Sequence, residues 1–89
     1  FDGHRDDPLA GLGLTAADYA DLAVRLAALV PARRTLVVLE GGYSPRALTR
    51  SVGATLGALM GADYRPEPAS SGEIGIPTIT AARQLWELT

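Results

Sequence analysis

Residues 35–43 read Thr-Leu-Val-Val-Leu-Glu-Gly-Gly-Tyr, and this stretch decides the fold that the sequence predicts. The run 35–39 is short and apolar on both faces, whereas a strand with one side in water alternates apolar and polar residues. The pattern is typical of a strand covered on both sides in a parallel sheet. Such a strand needs neighbouring strands for its backbone N–H and C=O groups, and no second complete strand is evident. We therefore predict the C-terminal portion of a larger α/β protein, consistent with a first residue, Phe1, that is not Met.

A helix is predicted on each side of this strand. Thr15-Ala-Ala-Asp18 has the spacing of a capping box, so we expect a helix over about 16–30, ended by Pro31. Its expected inner face consists of Tyr19, Leu22, Ala23, Leu26, Leu29 and Val30. Ser44 and Pro45 have the residue types of a helix start, and Gly61 follows the expected end of the second helix. The expected inner face of this helix consists of Leu48, Val52, Leu56 and Leu59.

The last third of the chain is predicted to be a tail. Residues 62–78 contain three prolines, two glycines and two serines. Thr80 is expected to cap a short final helix that carries Leu85, Trp86 and Leu88. We divide the chain into residues 1–61, which belong to the predicted α/β domain, and residues 62–89, which form the tail and the terminal helix.

Composition excludes several classes of protein. The 89 residues are 47% hydrophobic and 20% charged, which indicates one globular domain at most. Cysteine is absent, so disulfides and thiolate zinc sites are excluded. The net charge of −2 without a basic cluster argues against direct nucleic-acid binding. No apolar run reaches the ~18 residues of a membrane span, so we expect a cytoplasmic protein without a membrane partner. The residues indicate no oligomeric state.

Polar residues of the opening segment could carry chemistry. Residues 1–9 read Phe-Asp-Gly-His-Arg-Asp-Asp-Pro-Leu, where a strand would end and a loop begin. Asp2 could ligate zinc or cap a turn. His4 forms a D-x-H pair with Asp2 that could chelate a metal, although a structural histidine is the more common case. Asp7 precedes a proline and is expected to bond to nearby backbone amides in a rigid loop.

Residues 40–43, Glu-Gly-Gly-Tyr, follow directly after the predicted strand. Gly41 and Gly42 allow backbone conformations that other residues avoid and a close approach to a ligand. Tyr43 could donate a hydrogen bond to a developing oxyanion, or it could pack in an ordinary loop. Ligands of open α/β sheets bind beyond the strand ends, so both segments are candidates for one site.

The order and spacing of these motifs resemble those of the zinc-dependent histone deacetylase family. The resemblance covers residues 1 to about 61 and is closer to the class II-like branch, with its bacterial acetoin-utilisation and acetylpolyamine amidohydrolase relatives. It implies an α/β fold, here the C-terminal part of a three-layer arginase/deacetylase-like sandwich with a parallel sheet. It also implies a Zn²⁺-dependent hydrolysis of the amide of acetylated lysine, in a protein or in a small amine.

The resemblance assigns roles by position. Asp2 matches a zinc ligand, and Tyr43 matches the residue that hydrogen-bonds the substrate carbonyl. Leu9 matches a position lining the acyl-lysine tunnel, and Gly41 and Gly42 match part of its wall. His4 matches no zinc ligand of the family. The remaining ligands lie outside this chain, so the isolated 89 residues are expected to be inactive.

An alternative reading gives the chain no catalytic role. In it, the chain is an interaction or structural fragment of the same fold that self-associates through the exposed edges of the predicted strand. The presence of both Asp2 and Tyr43 favours the enzyme.

Overall fold

The regular structure of the chain is helical. A computed structural model describes residues 1–87, in which α1 spans Ala16–Ala27, α2 spans Pro45–Leu59 and α3 spans Ile76–Leu85. A 3-10 turn at Glu73–Gly75 leads into α3. None of these helices is long and apolar enough to cross a membrane.

The predicted parallel sheet is not present in residues 1–87, so the α/β class and the three-layer arginase/deacetylase-like sandwich are wrong for the described chain. The β-type pairing found there is one isolated parallel bridge between His4 and Leu14. Residues 35–40 adopt no regular structure, and Leu36 is 88% exposed. A strand is defined by hydrogen bonds to a neighbour, and no described segment pairs with this one. The alternative of self-association through this segment stays a prediction, because it concerns pairing between two copies of the chain.

α1 and α2 pack through small side chains rather than through leucines. Ala16, Ala20 and Ala54 form the buried cluster, and Ala58 lies against it. The expected inner face is wrong for the leucines of α1, although Ala23 is buried, and only in part for α2, where Leu48, Val52 and Leu59 are half-buried. On the helices, Leu22 is 44%, Leu26 61% and Leu56 50% exposed, and Leu29, which follows the end of α1, is 78% exposed. Alanine leaves room for a close approach of the two helices, and the exposed leucines lie outside this contact.

The predicted starts of α1 and α2 are confirmed. The backbone N–H of Thr15 donates to Asp18 at 2.8 Å, which completes the capping box of α1. The hydroxyl of Ser44 accepts a bond from the N–H of Ala47 at 3.4 Å, and Pro45 begins α2. α1 ends at Ala27, three residues before the expected position, because residues 28–30 continue in tighter turns.

The segment after α2 folds back onto the helices. Tyr64 lies over two glycines of α2. A Cβ added at Gly53 would be 2.9 Å from the Tyr64 ring, and a Cβ added at Gly57 would be 3.1 Å from the Tyr64 Cβ. Arg65 forms an ion pair with Asp21 of α1 at 2.7 Å. The final helix, α3, starts at Ile76 rather than near Thr80, and none of its residues is buried. The predicted helical residue Leu88 lies outside the described residues.

Candidate active site

Asp7 holds two loops together. One carboxylate oxygen accepts hydrogen bonds from the N–H groups of Leu9, at 2.8 Å, and Ala10, at 3.2 Å. The other accepts from the N–H of Tyr43 at 2.8 Å. The expectation that Asp7 bonds to nearby amides is confirmed, and the bond to Tyr43 adds a link of 36 residues along the chain. The opening segment and the Glu-Gly-Gly-Tyr loop are therefore neighbours.

The environment of Asp7 favours its charged form. Burial on its own would raise the pKa of this carboxyl group, but the three backbone N–H donors outweigh burial and leave the pKa below its ordinary value. Asp7 is thus a fixed anion, because all its hydrogen bonds come from donors that are part of the backbone.

Asp2 lies beside Gly41. A Cβ added at Gly41 would be 3.4 Å from Asp2 Cγ and 3.5 Å from Oδ2, so the carboxylate and the glycine backbone are in contact distance of each other. The Asp2 side chain is 51% exposed, which leaves its oxygens accessible to a ligand. Asp2 and Tyr43, predicted to act together, thus belong to two segments in direct contact, since Gly41 precedes Tyr43 by two residues.

α1 fixes the residues on either side of Asp2. The ring of Phe1 packs on that of Tyr19 with the centroids 4.8 Å apart. A Cβ added at Gly3 would be 2.7 Å from the Tyr19 hydroxyl oxygen, so this position has no room for a side chain. Burial raises the pKa of Tyr19, a shift that its hydrogen bond with the Gly3 backbone partly offsets. Tyr19, expected only to pack in the core, also anchors the segment that carries Asp2.

Gly41 and Gly42 both use the left-handed region of backbone conformation, with φ of +73° and +96°. This double turn brings the chain from the exposed segment 35–40 to the start of α2. Tyr43 follows the turn with 55% of its surface exposed, and Leu9 is 70% exposed on the other loop. The predicted site residues therefore lie on two adjoining loops, with the side chains of Tyr43 and Leu9 open to solvent.

His4 is a buried structural residue, which confirms the more common of its two predicted roles and not that of a metal ligand. It is fully buried, its Nδ1 accepts a hydrogen bond from the N–H of Asp6 at 3.0 Å, and its Nε2 bonds to the carboxylate of Glu67. Both ring nitrogens are therefore occupied by the protein, and neither is available to a metal.

Glu67 was not found from the sequence. It lies between Pro66 and Pro68 in the predicted tail, a composition typical of solvent-exposed linkers. One signal could have pointed to Glu67: if His4 is buried, its ring N–H needs a hydrogen-bond acceptor. Burial raises the pKa of the Glu67 carboxyl group, but hydrogen bonds from the Ala16 N–H and from His4 outweigh burial and hold this pKa below its ordinary value.

The described residues supply one candidate metal ligand rather than a complete site. Within residues 1–87 no group of three or more His, Asp or Glu side chains could hold a metal ion. Asp2 fits the part of a single ligand because its carboxylate is accessible and lies beside the glycine turn. One carboxylate does not bind zinc tightly, so any metal site needs ligands from outside these residues.

Comparison with known proteins gives the geometry its context. The histone deacetylase domain matches residues 1–59, which is about two thirds of the chain. The chain belongs to the histone deacetylase family. A metal cofactor and acetylated substrates are what membership of this family suggests.

The histone deacetylase relatives are much longer than this chain. Histone deacetylase 14, chloroplastic, of Arabidopsis thaliana is 44% identical over 66 residues, which cover 71% of this chain and 16% of the relative. A probable deacetylase of Methanothermobacter thermautotrophicus is 37% identical over 76 residues, which cover 83% of the chain and 22% of the relative. Histone deacetylase 10, chloroplastic, of Oryza sativa subsp. japonica is 41% identical over 64 residues, or 68% of the chain and 14% of the relative. No solved structure matches with comparable significance.

Proposed function

We propose that this chain is the C-terminal part of a longer, class II-like, zinc-dependent deacetylase that hydrolyses the amide of acetylated lysine or of an acetylated small amine. Membership of the histone deacetylase family supports a deacetylase. The small share of each relative that the chain covers, 16% and 22% for two of them, supports a longer protein. The observation that carries the proposal is the contact between the two loops through Asp7, Tyr43, Asp2 and Gly41.

Asp2 would be the ligand that this chain contributes to Zn²⁺. When bound, zinc polarises the acyl carbonyl and lowers the pKa of its water. The part of Asp2 is to hold one side of the metal with an accessible carboxylate. Phe1 and Gly3, both packed on Tyr19, keep that carboxylate in place without contacting the substrate.

Tyr43 would donate a hydrogen bond from its phenol to the carbonyl oxygen of the acyl group as that oxygen gains negative charge. Asp7 supports this role because its bond to the Tyr43 N–H fixes the backbone from which the phenol extends. Such a donor acts best when it does not have to be reoriented during the reaction.

Leu9, Gly41 and Gly42 would line the path of the substrate. An exposed aliphatic residue at position 9 suits the alkyl chain of acyl-lysine, whereas an acid would attract a cationic amine. Gly41 has no side chain, which leaves room for the substrate next to Asp2, whereas an added Cβ at Gly42 would lie 2.9 Å from Leu48, so Gly42 would contribute its backbone only. On this basis acetyl-lysine is the preferred of the two proposed substrates.

The test compares variants of the full-length protein in zinc content and in hydrolysis of an acetyl-lysine peptide. We expect one zinc per molecule in the wild type, loss of zinc and turnover in Asp2→Asn, and wild-type values in the control Asp21→Asn. Asp21 is also a half-exposed aspartate but lies on α1 and pairs with Arg65. A wild-type protein without zinc or turnover would refute the proposal.

The isolated 89-residue chain should bind no stoichiometric zinc and should not turn over substrate, because it has one candidate ligand. Either property in the isolated chain would show that the ligand assignment is wrong.

We also propose the division into residues 1–61 and 62–89 and a cytoplasmic location. The family match, which ends at residue 59, supports the boundary, and limited proteolysis of the full-length protein tests it. Two relatives carry the word chloroplastic in their names, so fractionation of the cells that produce the protein is the measurement that decides its location.

A further inference from the structure

We propose that Glu67 is a positioning residue of the active site, which it serves by holding the loop that carries Asp2. This inference rests on the proposed function. Glu67 is 7% exposed although it lies in a segment rich in proline, glycine and serine, outside the residues that match the family. A carboxylate is buried only where it has partners, and those of Glu67 come from three separate parts of the chain.

The first carboxylate oxygen joins the Asp2 loop to the start of α1. Oε1 accepts a hydrogen bond from the N–H of Ala16, the first residue of α1, at 2.6 Å, and another from Nε2 of His4. Nδ1 of His4 is already an acceptor for the Asp6 N–H, so the ring proton is on Nε2 and points at Glu67. Without this carboxylate, two buried donors would have no partner.

The second carboxylate oxygen faces two arginines. Arg50 of α2 places Nη1 at 3.3 Å from Oε2, and Arg5 of the opening segment places Nη2 at 3.9 Å. The negative charge of Glu67 is thereby balanced by groups from both sides. Glu67 links the Asp2 loop to α2, and Asp7 links the same loop to Tyr43, the second residue before α2.

The link from Glu67 to Asp2 is short. His4 is two residues after Asp2, is fully buried, and has both ring nitrogens bonded. A shift of the His4 ring therefore moves the backbone next to the proposed ligand. Glu67 does not touch substrate in this scheme. Loss of a group that hydrogen-bonds directly to a metal ligand typically weakens metal binding by about 10–100-fold, and we expect an effect of the same order for Glu67, which acts through His4.

The experiment measures zinc affinity of the full-length protein by competition with a chromophoric chelator, together with kcat, KM and thermal unfolding. For Glu67→Ala we expect a zinc Kd raised by about 10–100-fold, a lower kcat, an unchanged KM, and recovery of activity in excess zinc. Glu67→Gln keeps one oxygen for the two donors but loses the charge opposite the arginines, and we expect its zinc Kd to rise about tenfold.

Two controls separate positioning from general stability. Glu73→Gln removes an exposed carboxylate from the same segment and should leave the zinc Kd unchanged. Thr55→Ala removes a buried hydroxyl that donates to the Ser51 carbonyl of α2 at 2.8 Å, so it should lower the melting temperature without changing the zinc Kd. A raised zinc Kd in Thr55→Ala equal to that of the Glu67 variants would overturn the proposal.

The outcomes distinguish this inference from the proposed function. A wild-type protein that binds no zinc refutes the function itself. A wild-type protein with zinc, together with a folded Glu67→Ala variant of unchanged zinc Kd, refutes only the role of Glu67. If Glu67→Ala does not fold, Glu67→Gln decides, and a wild-type zinc Kd in that variant overturns the inference.

Discussion

Gly41→Ala is the most informative single change in the candidate site, because the chain contains a matched control. Gly41 has φ of +73°, and Gly11, in the other loop, has φ of +68°. A Cβ at Gly41 would be 3.4 Å from Asp2 Cγ, whereas a Cβ at Gly11 meets no described atom within 4 Å. The two variants therefore share a backbone penalty and differ in the contact with Asp2.

The expected loss of stability is the same for both variants. A left-handed conformation costs an alanine about 1–2 kcal/mol. The stiffer unfolded chain of the alanine variant offsets about 0.4–1 kcal/mol of that cost. The contact of 3.4 Å with Asp2 is an ordinary van der Waals distance and adds little. We therefore expect each variant to lose about 1 kcal/mol of free energy of unfolding.

The expected effect on activity differs. The new methyl group of Gly41→Ala covers one side of the Asp2 carboxylate, so kcat/KM for acetyl-lysine should fall at least about tenfold below that of Gly11→Ala. Denaturant unfolding followed by circular dichroism gives the stability, and steady-state kinetics on the full-length proteins gives the activity. Equal activity in the two variants would refute the placement of Gly41 beside a catalytic carboxylate.

Three further predictions concern single side chains. Tyr43→Phe should lower kcat about 10²–10³-fold with an unchanged melting temperature, and a smaller effect would count against an oxyanion donor. Leu9→Glu should shift the ratio of kcat/KM values toward acetylated polyamines, while the control Leu12→Glu, at a leucine that is also exposed, should not, and equal ratios would exclude Leu9 from the tunnel. Asp18 has a lowered pKa because bonds from Thr15 and Ser70 outweigh its burial, so its stabilising effect is complete above its ordinary value of 3.8 and is lost as the pH falls through the lower, folded value. Acid unfolding of Asp18→Asn should therefore show a weaker dependence on pH than the wild type in this range, and an identical dependence would contradict the shift.

Local sequence rules predicted the starts of α1 and α2 well, because the groups involved are close together in the chain. Thr15 and Asp18 are three residues apart, as are Ser44 and Ala47, and each pair forms the bond that the capping rules describe. The same reasoning applies to Asp7, whose bonds to Leu9 and Ala10 follow from its position in a turn. Interactions of this kind need no knowledge of the rest of the fold.

Predictions that depended on distant partners were less successful. The apolar run 35–39 has the composition of a buried strand, but a strand also requires a partner, and the described residues contain none. Apolar spacing identified α1 and α2 but missed Ala16, Ala20 and Ala54, the alanines that form the contact between the helices. The bonds of Glu67 to residues 4 and 16 span 63 and 51 positions, a separation at which sequence spacing carries no information.

The carboxylate of Asp7 ties the two loops of the candidate site to each other. It accepts N–H groups from both loops, at 2.8 Å on each side, so the loops cannot separate without breaking a bond to a buried anion. If the proposed function holds, an opening movement of the two loops would not be the means of admitting a bulky acyl group. Engineering for larger substrates would thus begin with the exposed side chains of the two loops, Leu9 first, and would keep Asp7 and its hydrogen bonds.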